Sequence, residues 1–133
     1  TIDEVAAREL RELQRRDRLY RGDRPPPEVR DRIIILVDDG LATGSTMQAA
    51  IAVIKAQHPQ RIVVAVPVAA PDICQEMREI VDEVVCIMTP DPLYAIGFWY
   101  ENFAQTTDAE VCELLQKYFI DSIPTSAIGG NWE

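Results

Sequence analysis

Apolar residues recur along this chain in two alternating rhythms. Residues 1–20 place Ile2, Ala6, Leu10 and Leu13 three or four positions apart, the period of one helix face. The stretch 21–27, with Gly22 and three consecutive prolines, breaks that helix and predicts a loop or a stiff extended linker. Residues 33–37 are β-branched or leucine throughout, which predicts a strand covered on both faces, as in a parallel sheet. Met47, Ala50, Ile51 and Ile54 return to the helical period, with a stop near Gln57-His58-Pro59. Residues 61–68 predict a second buried strand, 72–80 a short helix with Ile73, Met77 and Ile80 inward, and 83–88 a third strand. Thr107 and Glu110 have capping-box spacing before a last helix, whose buried stripe is expected to be Val111, Leu114, Leu115 and Tyr118. The tail 121–133, with Pro124 and Gly129-Gly130, is expected to be loosely held. This alternation predicts an α/β fold, a parallel sheet with flanking helices and right-handed crossovers.

Composition narrows the function classes. A chain of 133 residues, 47% hydrophobic, has the length and apolar content of one domain with a core. Its net charge of -9 and pI near 4.6 argue against a general nucleic-acid or anionic-membrane binder. An anionic substrate therefore needs local donors and a metal ion to offset the global field. Against this balance, the first helix and loop are locally basic, with Arg8, Arg11, Arg15, Arg16, Arg18, Arg21 and Arg24. These arginines read equally as a solvated face with acidic partners at helical spacing or as phosphate ligands. Cys74, Cys86 and Cys112 are odd in number and lack Cys-x-x-Cys spacing, which points to reduced thiols in a cytoplasmic protein. No apolar run is long enough to span a membrane, and no signal-peptide pattern is present. His58, next to a proline at a helix end, reads as a dipole partner rather than a base.

The candidate chemistry lies at the end of the first strand. Val37 is followed by Asp38, Asp39, Gly40, Leu41, Ala42, Thr43, Gly44, Ser45 and Thr46, after which a helix begins. In open parallel sheets, ligands sit beyond the carboxyl ends of the strands, where this acid pair falls. On an extended backbone, neighbouring carboxylates point to opposite sides, so they do not face one bond as a glycosidase pair does. They suit either adjacent hydroxyls of a ribose or the waters of a hydrated magnesium ion. Gly44 allows close backbone approach, Thr43, Ser45 and Thr46 add hydroxyls, and the helix N-terminus favours a phosphate. A strand end, a tight turn and a helix cap account for any one of these residues; together they describe a site for a phosphorylated sugar.

At residues 37–46 the chain resembles the type I phosphoribosyltransferases, whose signature is an apolar strand, two acidic residues and a Thr-Gly-Ser/Gly/Ala-Thr loop. The resemblance implies a Rossmann-like sheet and the substrate 5-phosphoribosyl-1-pyrophosphate (PRPP), bound with Mg2+. By carry-over, Asp38 and Asp39 hold the ribose hydroxyls, act catalytically and touch the metal mostly through water. Ala42, Thr43, Gly44, Ser45 and Thr46 cradle the 5-phosphate. The segment 89–103 holds five aromatic residues in a chain only 7% aromatic. Such a cluster closes a sheet edge or forms a homodimer surface. The resemblance instead places it as a hood over a nitrogenous base, with Tyr94, Phe98 and Trp99 as acceptor ligands and Glu101 helping to hold a second metal. Residues 15–30 take the place of a lid.

The stretch 89–108 is similar to a bacterial subgroup of predicted phosphoribosyltransferases that occur alone or fused to hydrolase domains. Ala42 stands where the 6-oxopurine enzymes carry an aspartate, which argues against hypoxanthine or guanine as acceptor. No strand with a pyrophosphate-gripping Arg or Lys loop precedes the lid, so the sequence reads as lacking the N-terminal part of the domain, or as completed by a partner chain. The expected organisation is one domain over 1–133: helix plus lid (1–30), α/β core (31–88), hood and last helix (89–120), and tail. The expected partners are PRPP and a small base, in a protein that acts as a homodimer or alone, without nucleic acid or membrane. The expected reaction is displacement at the anomeric carbon with inversion and loss of pyrophosphate. The alternatives are a non-catalytic PRPP-binding regulator and an incomplete fragment.

Overall fold

The computed structural model describes residues 1–121. The strand and helix rhythms are realised as α1 (Ile2–Arg21), β1 (Ile33–Val37), α2 (Ser45–Lys55), β2 (Arg61–Val68), α3 (Pro71–Ile80), β3 (Glu83–Met88) and α4 (Asp108–Asp121). A 3₁₀ turn, Ile96–Trp99, lies between β3 and α4. The strands form one parallel sheet in the order β1-β2-β3. Ile33 pairs with Arg61 and Val37 with Ala65 at one boundary, and Val63 with Glu83 and Val68 with Met88 at the other.

The described residues pack as two compact units, 27–103 and 1–26 with 104–121. In the first, β2 turns Ile62, Val64 and Val66 toward Met47 and Ile51 of α2 and Ile73, Cys74 and Met77 of α3, all buried in one cluster. A large apolar side chain buried this completely contributes about 1.5–3 kcal/mol. Ile54 and Ile80 pack against the cluster rather than within it. Cys74, Cys86 and Cys112 are free thiols. Burial and the neighbouring Cys74 push the Cys86 thiol up to about 11.

The expectation that β1 is covered on both faces is overturned. Ile33, Ile35 and Val37 are 57%, 60% and 73% exposed, and Val85 and Ile87 of β3 are exposed as well. Among the described residues β1 lies at the edge of the sheet, and the helices of this unit pack on the face that carries Ile62, Val64 and Val66. The segment 15–30, assigned as a lid, has structure of its own. Residues 15–21 are helical, Val29 is buried, and the Asp31 N–H donates to the His58 carbonyl at 3.0 Å.

In the other unit, no α1 residue is buried: Ile2, Leu10 and Leu13 face solvent, against the expected apolar face. Capping and charge pairing support this helix instead. Thr1 and Glu4 form a capping box, Glu12 bonds Arg15 and Arg16, and Asp17 bonds Arg21. Arg15, Arg16 and Arg21 thus have acidic partners at helical spacing. The Thr107–Glu110 capping box is present, both bonds at 3.2 Å. In the α4 stripe, Val111 and Leu115 are half-buried, whereas Leu114 and Tyr118 are exposed. Asp108 ties α4 to α1, accepting from Tyr20 Oη at 2.6 Å and from Arg15 at 3.0 Å. Apart from Asp121, the last residue of α4, the tail lies outside the described residues. No helix among the described residues is long and apolar enough to cross a membrane.

Candidate active site

The acid pair sits in a short detour from the sheet. The β1–β2 ladder ends at Val37↔Ala65 and resumes in the same register at a bridge between Leu41 and Ala69. Leu41 is buried; its N–H donates to the Val68 carbonyl and its carbonyl accepts from Ala70, both at 3.0 Å. Residues 38–40 are thus pinned at both ends while their own backbone is free of the ladder. The backbone here is not extended: the chain bends at Asp39, and the Asp39 N–H donates to Asp38 Oδ1 at 2.8 Å. Burial raises the pKa of Asp39, the charge and hydrogen bond of Asp38 raise it further, and the N–H groups of Gly40 and Asp39 oppose the shift.

The loop that follows opens α2. Gly44 is the N-cap residue, left-handed at φ 74°, and a Cβ there would lie 2.6 Å from Met77 Cε and 2.9 Å from Ile73 Cγ2. Only glycine meets both demands. Thr43 Oγ1 lies 3.3 Å from Ser45 Oγ and accepts weakly from the Ser45 N–H at 3.4 Å. The first-turn amides of α2 lack intrahelical partners and carry the positive end of its dipole. A cavity of about 130 Å³ is lined by Asp38, residues 40–47 and Ile96. All five predicted phosphate-loop residues face it, with Asp38 on its wall and Asp39 beside it. Neither arginine nor lysine is in its lining.

The segment after β3 approaches this site through residues other than those expected. Tyr94 and Phe98 are exposed, with ring centroids 5.4 Å apart, and Phe98 meets Trp99 edge-on at 5.1 Å. Trp99 is half-buried and donates from Nε1 to the Leu93 carbonyl at 2.6 Å, holding the segment's own fold. None of these three lines the cavity; Ile96 does. Tyr100 donates its hydroxyl to the Asp39 carbonyl and packs its ring 5.0 Å from that of Phe103. Sequence reasoning missed Ile96 and Tyr100. The aromatic cluster signalled the segment but not which ring turns inward. Glu101 is exposed. Among the described residues no group of three or more His, Cys, Asp or Glu side chains could hold a metal alone.

Comparison with known proteins agrees with this geometry. The family model described as "Phosphoribosyl transferase domain" matches residues 4–101. Two Mycobacterium tuberculosis proteins described as "Putative phosphoribosyl transferase", MT0597 and Rv0571c, are each 40% identical over 127 residues. That match takes in 96% of this chain and 29% of either relative, so the chain spans less than a third of the curated relatives' length. The crystal structure of TT1426 from Thermus thermophilus superposes with a TM-score of 0.76 at 38% identity, over 87% of this chain and 55% of that one. With the acid pair, the glycine-capped loop and the parallel sheet in place, the chain belongs to the phosphoribosyl transferase domain family.

Proposed function

We propose that residues 1–133 serve one phosphoribosyltransferase-like domain that binds PRPP and transfers its phosphoribosyl group, reversibly, to a nitrogenous base or related acceptor. One observation carries the reading: Asp38, the first of the acid pair, and a glycine-capped helix N-terminus line one small cavity. The loop 42–46 supplies amides and hydroxyls to the 5-phosphate, and Asp38 and Asp39 hold the ribose hydroxyls. The acceptor nitrogen forms its bond to the anomeric carbon as the bond to the pyrophosphate oxygen breaks. The pyrophosphate leaves with the electron pair, and the acceptor's proton passes to water. Positive charge that develops on the ring is stabilised by the carboxylates, a matter of positioning and electrostatics. Ala42 leaves the loop without an ionisable group that could exchange a proton with a purine. Tyr94, Phe98 and Trp99 offer stacking faces to an acceptor.

The donors fit Mg2+. Two carboxylates are adjacent in the chain, and the like charge of Asp38 that helps raise Asp39 is relieved by a divalent cation. Magnesium typically takes one or two protein carboxylates and completes its shell with water and substrate oxygens. Asp38 and Asp39 are the residues that would hold it, mostly through water, with Glu101 a further carboxylate nearby in sequence. When bound, the ion supplies neutralisation of the departing pyrophosphate.

Titration calorimetry with PRPP and Mg2+ tests the reading. Saturable binding is expected, weakened at least tenfold in Asp39→Asn with little change in melting temperature; heat-silent titrations of the wild type would sink the proposal. A pyrophosphate-release screen over nucleobases then separates transfer from ligand sensing, since a regulator binds PRPP without releasing pyrophosphate.

A further inference from the structure

Residues 38–40 lack ladder partners, yet they must hold two carboxylates steady. Within the segment, the N–H of Asp39 turns back on the Asp38 carboxyl at 2.8 Å. From outside it, the Asp39 carbonyl receives the hydroxyl of Tyr100, a residue 61 positions away. The same segment touches the detour a second time. A Cβ on Gly40 would lie 2.6 and 2.8 Å from Ile96 Cδ1 and Cγ2 and 3.0 Å from Val68 Cγ1, so the 3₁₀ turn rests directly on the Gly40 backbone. Ile96 also forms part of the cavity wall with Asp38. The tether is itself braced. The Tyr100 ring packs on Phe103, and the Phe103 ring in turn lies against Gly97, 2.7 Å from where its Cβ would stand.

We propose that Tyr100 is a positioning residue for the acid pair: its hydroxyl fixes the Asp39 carbonyl and so the direction in which Asp38 and Asp39 present their carboxylates to a ribose. This rests on the PRPP reading above. Ile96 works with it by setting how closely the turn sits on Gly40. Because the contact is made by the segment that follows β3, the geometry of the ribose site depends on that segment's placement.

Tyr100→Phe removes the hydroxyl and leaves the ring on Phe103. Two measurements on this chain decide the matter: calorimetric affinity for ribose 5-phosphate and for PRPP with Mg2+, and amide hydrogen exchange at residues 38–41. The expected result is a roughly five- to tenfold loss of affinity for both ligands, the worth of one hydrogen bond. Faster exchange confined to 38–41 and an unchanged melting temperature should accompany it. Gly40→Ala, which pushes the turn off from the other side, should reduce affinity in the same direction. Wild-type affinity in Tyr100→Phe overturns the inference and leaves the PRPP reading standing. A wild-type chain that binds neither ligand overturns that reading and this inference with it, whatever the exchange rates show.

Discussion

At residue scale the site depends on a few positions where no second side chain serves. Gly44 combines a left-handed backbone with van der Waals contact against Met77 and Ile73, so it joins the phosphate loop to the core under α3. Gly44→Ala is expected to cost about 2–3 kcal/mol, the sum of left-handed strain and overpacking. Urea denaturation reads that loss, and an unchanged midpoint would show that the loop is not anchored here. Asp39 has a different character. Its carboxyl is partly desolvated beside a like charge, a state that contributes nothing to folding and suits a ligand or a cation. The sequence located both residues, because acid pair, glycine and hydroxyls follow one another in the chain. It could not single out Tyr100 from its aromatic neighbours, since that choice depends on a hydrogen bond across 61 positions.

At element scale, α1 and α4 are joined through charge. Asp108 begins α4, and the Tyr20 hydroxyl, then Arg15, hold its carboxyl below the usual range. Hydrogen bonding from Arg15 lowers Glu12 to about 2 in the same cluster. Both groups bind protons more weakly folded than unfolded, so their stabilisation is complete above the ordinary carboxylate values, about pH 4. It is lost as pH falls from there through the lowered folded values. Helix pairing should therefore weaken between about pH 4 and pH 2, and Asp108→Asn should flatten that dependence. Amide exchange along α1, followed against pH in both proteins, checks it; equal pH profiles would rule out Asp108 as the link. The capping box of α4 was legible because it spans three residues. The apolar face assigned to α1 was not, because helical periodicity shows that a stripe exists without showing what covers it.

At the scale of the molecule, the sheet carries an apolar face of Ile33, Ile35, Val37, Val85 and Ile87 that is open to solvent among the described residues. A contiguous surface of this kind binds apolar dyes. This chain is expected to enhance anilinonaphthalene sulfonate fluorescence, and Ile35→Lys to reduce it by half or more. The melting temperature should change little, because Ile35 is 60% exposed. Undiminished fluorescence in that variant would place the dye elsewhere. The chain alone determined the order of elements, the parallel sheet, the capping box of α4 and the glycine- and hydroxyl-rich composition of the loop 42–46. Each of those is written in residues a few positions apart, through periodicity, backbone preference and short-range hydrogen bonds. Tertiary structure alone decided that, among the described residues, β1 lies at the edge of the sheet with one bare face, that the chain bends at Asp39, and that Ile96 and Tyr100 are the residues of the segment after β3 that reach this detour. Those outcomes depend on which distant surfaces meet, and a run of apolar or aromatic residues looks the same in sequence whether it is covered, exposed or turned toward a ligand.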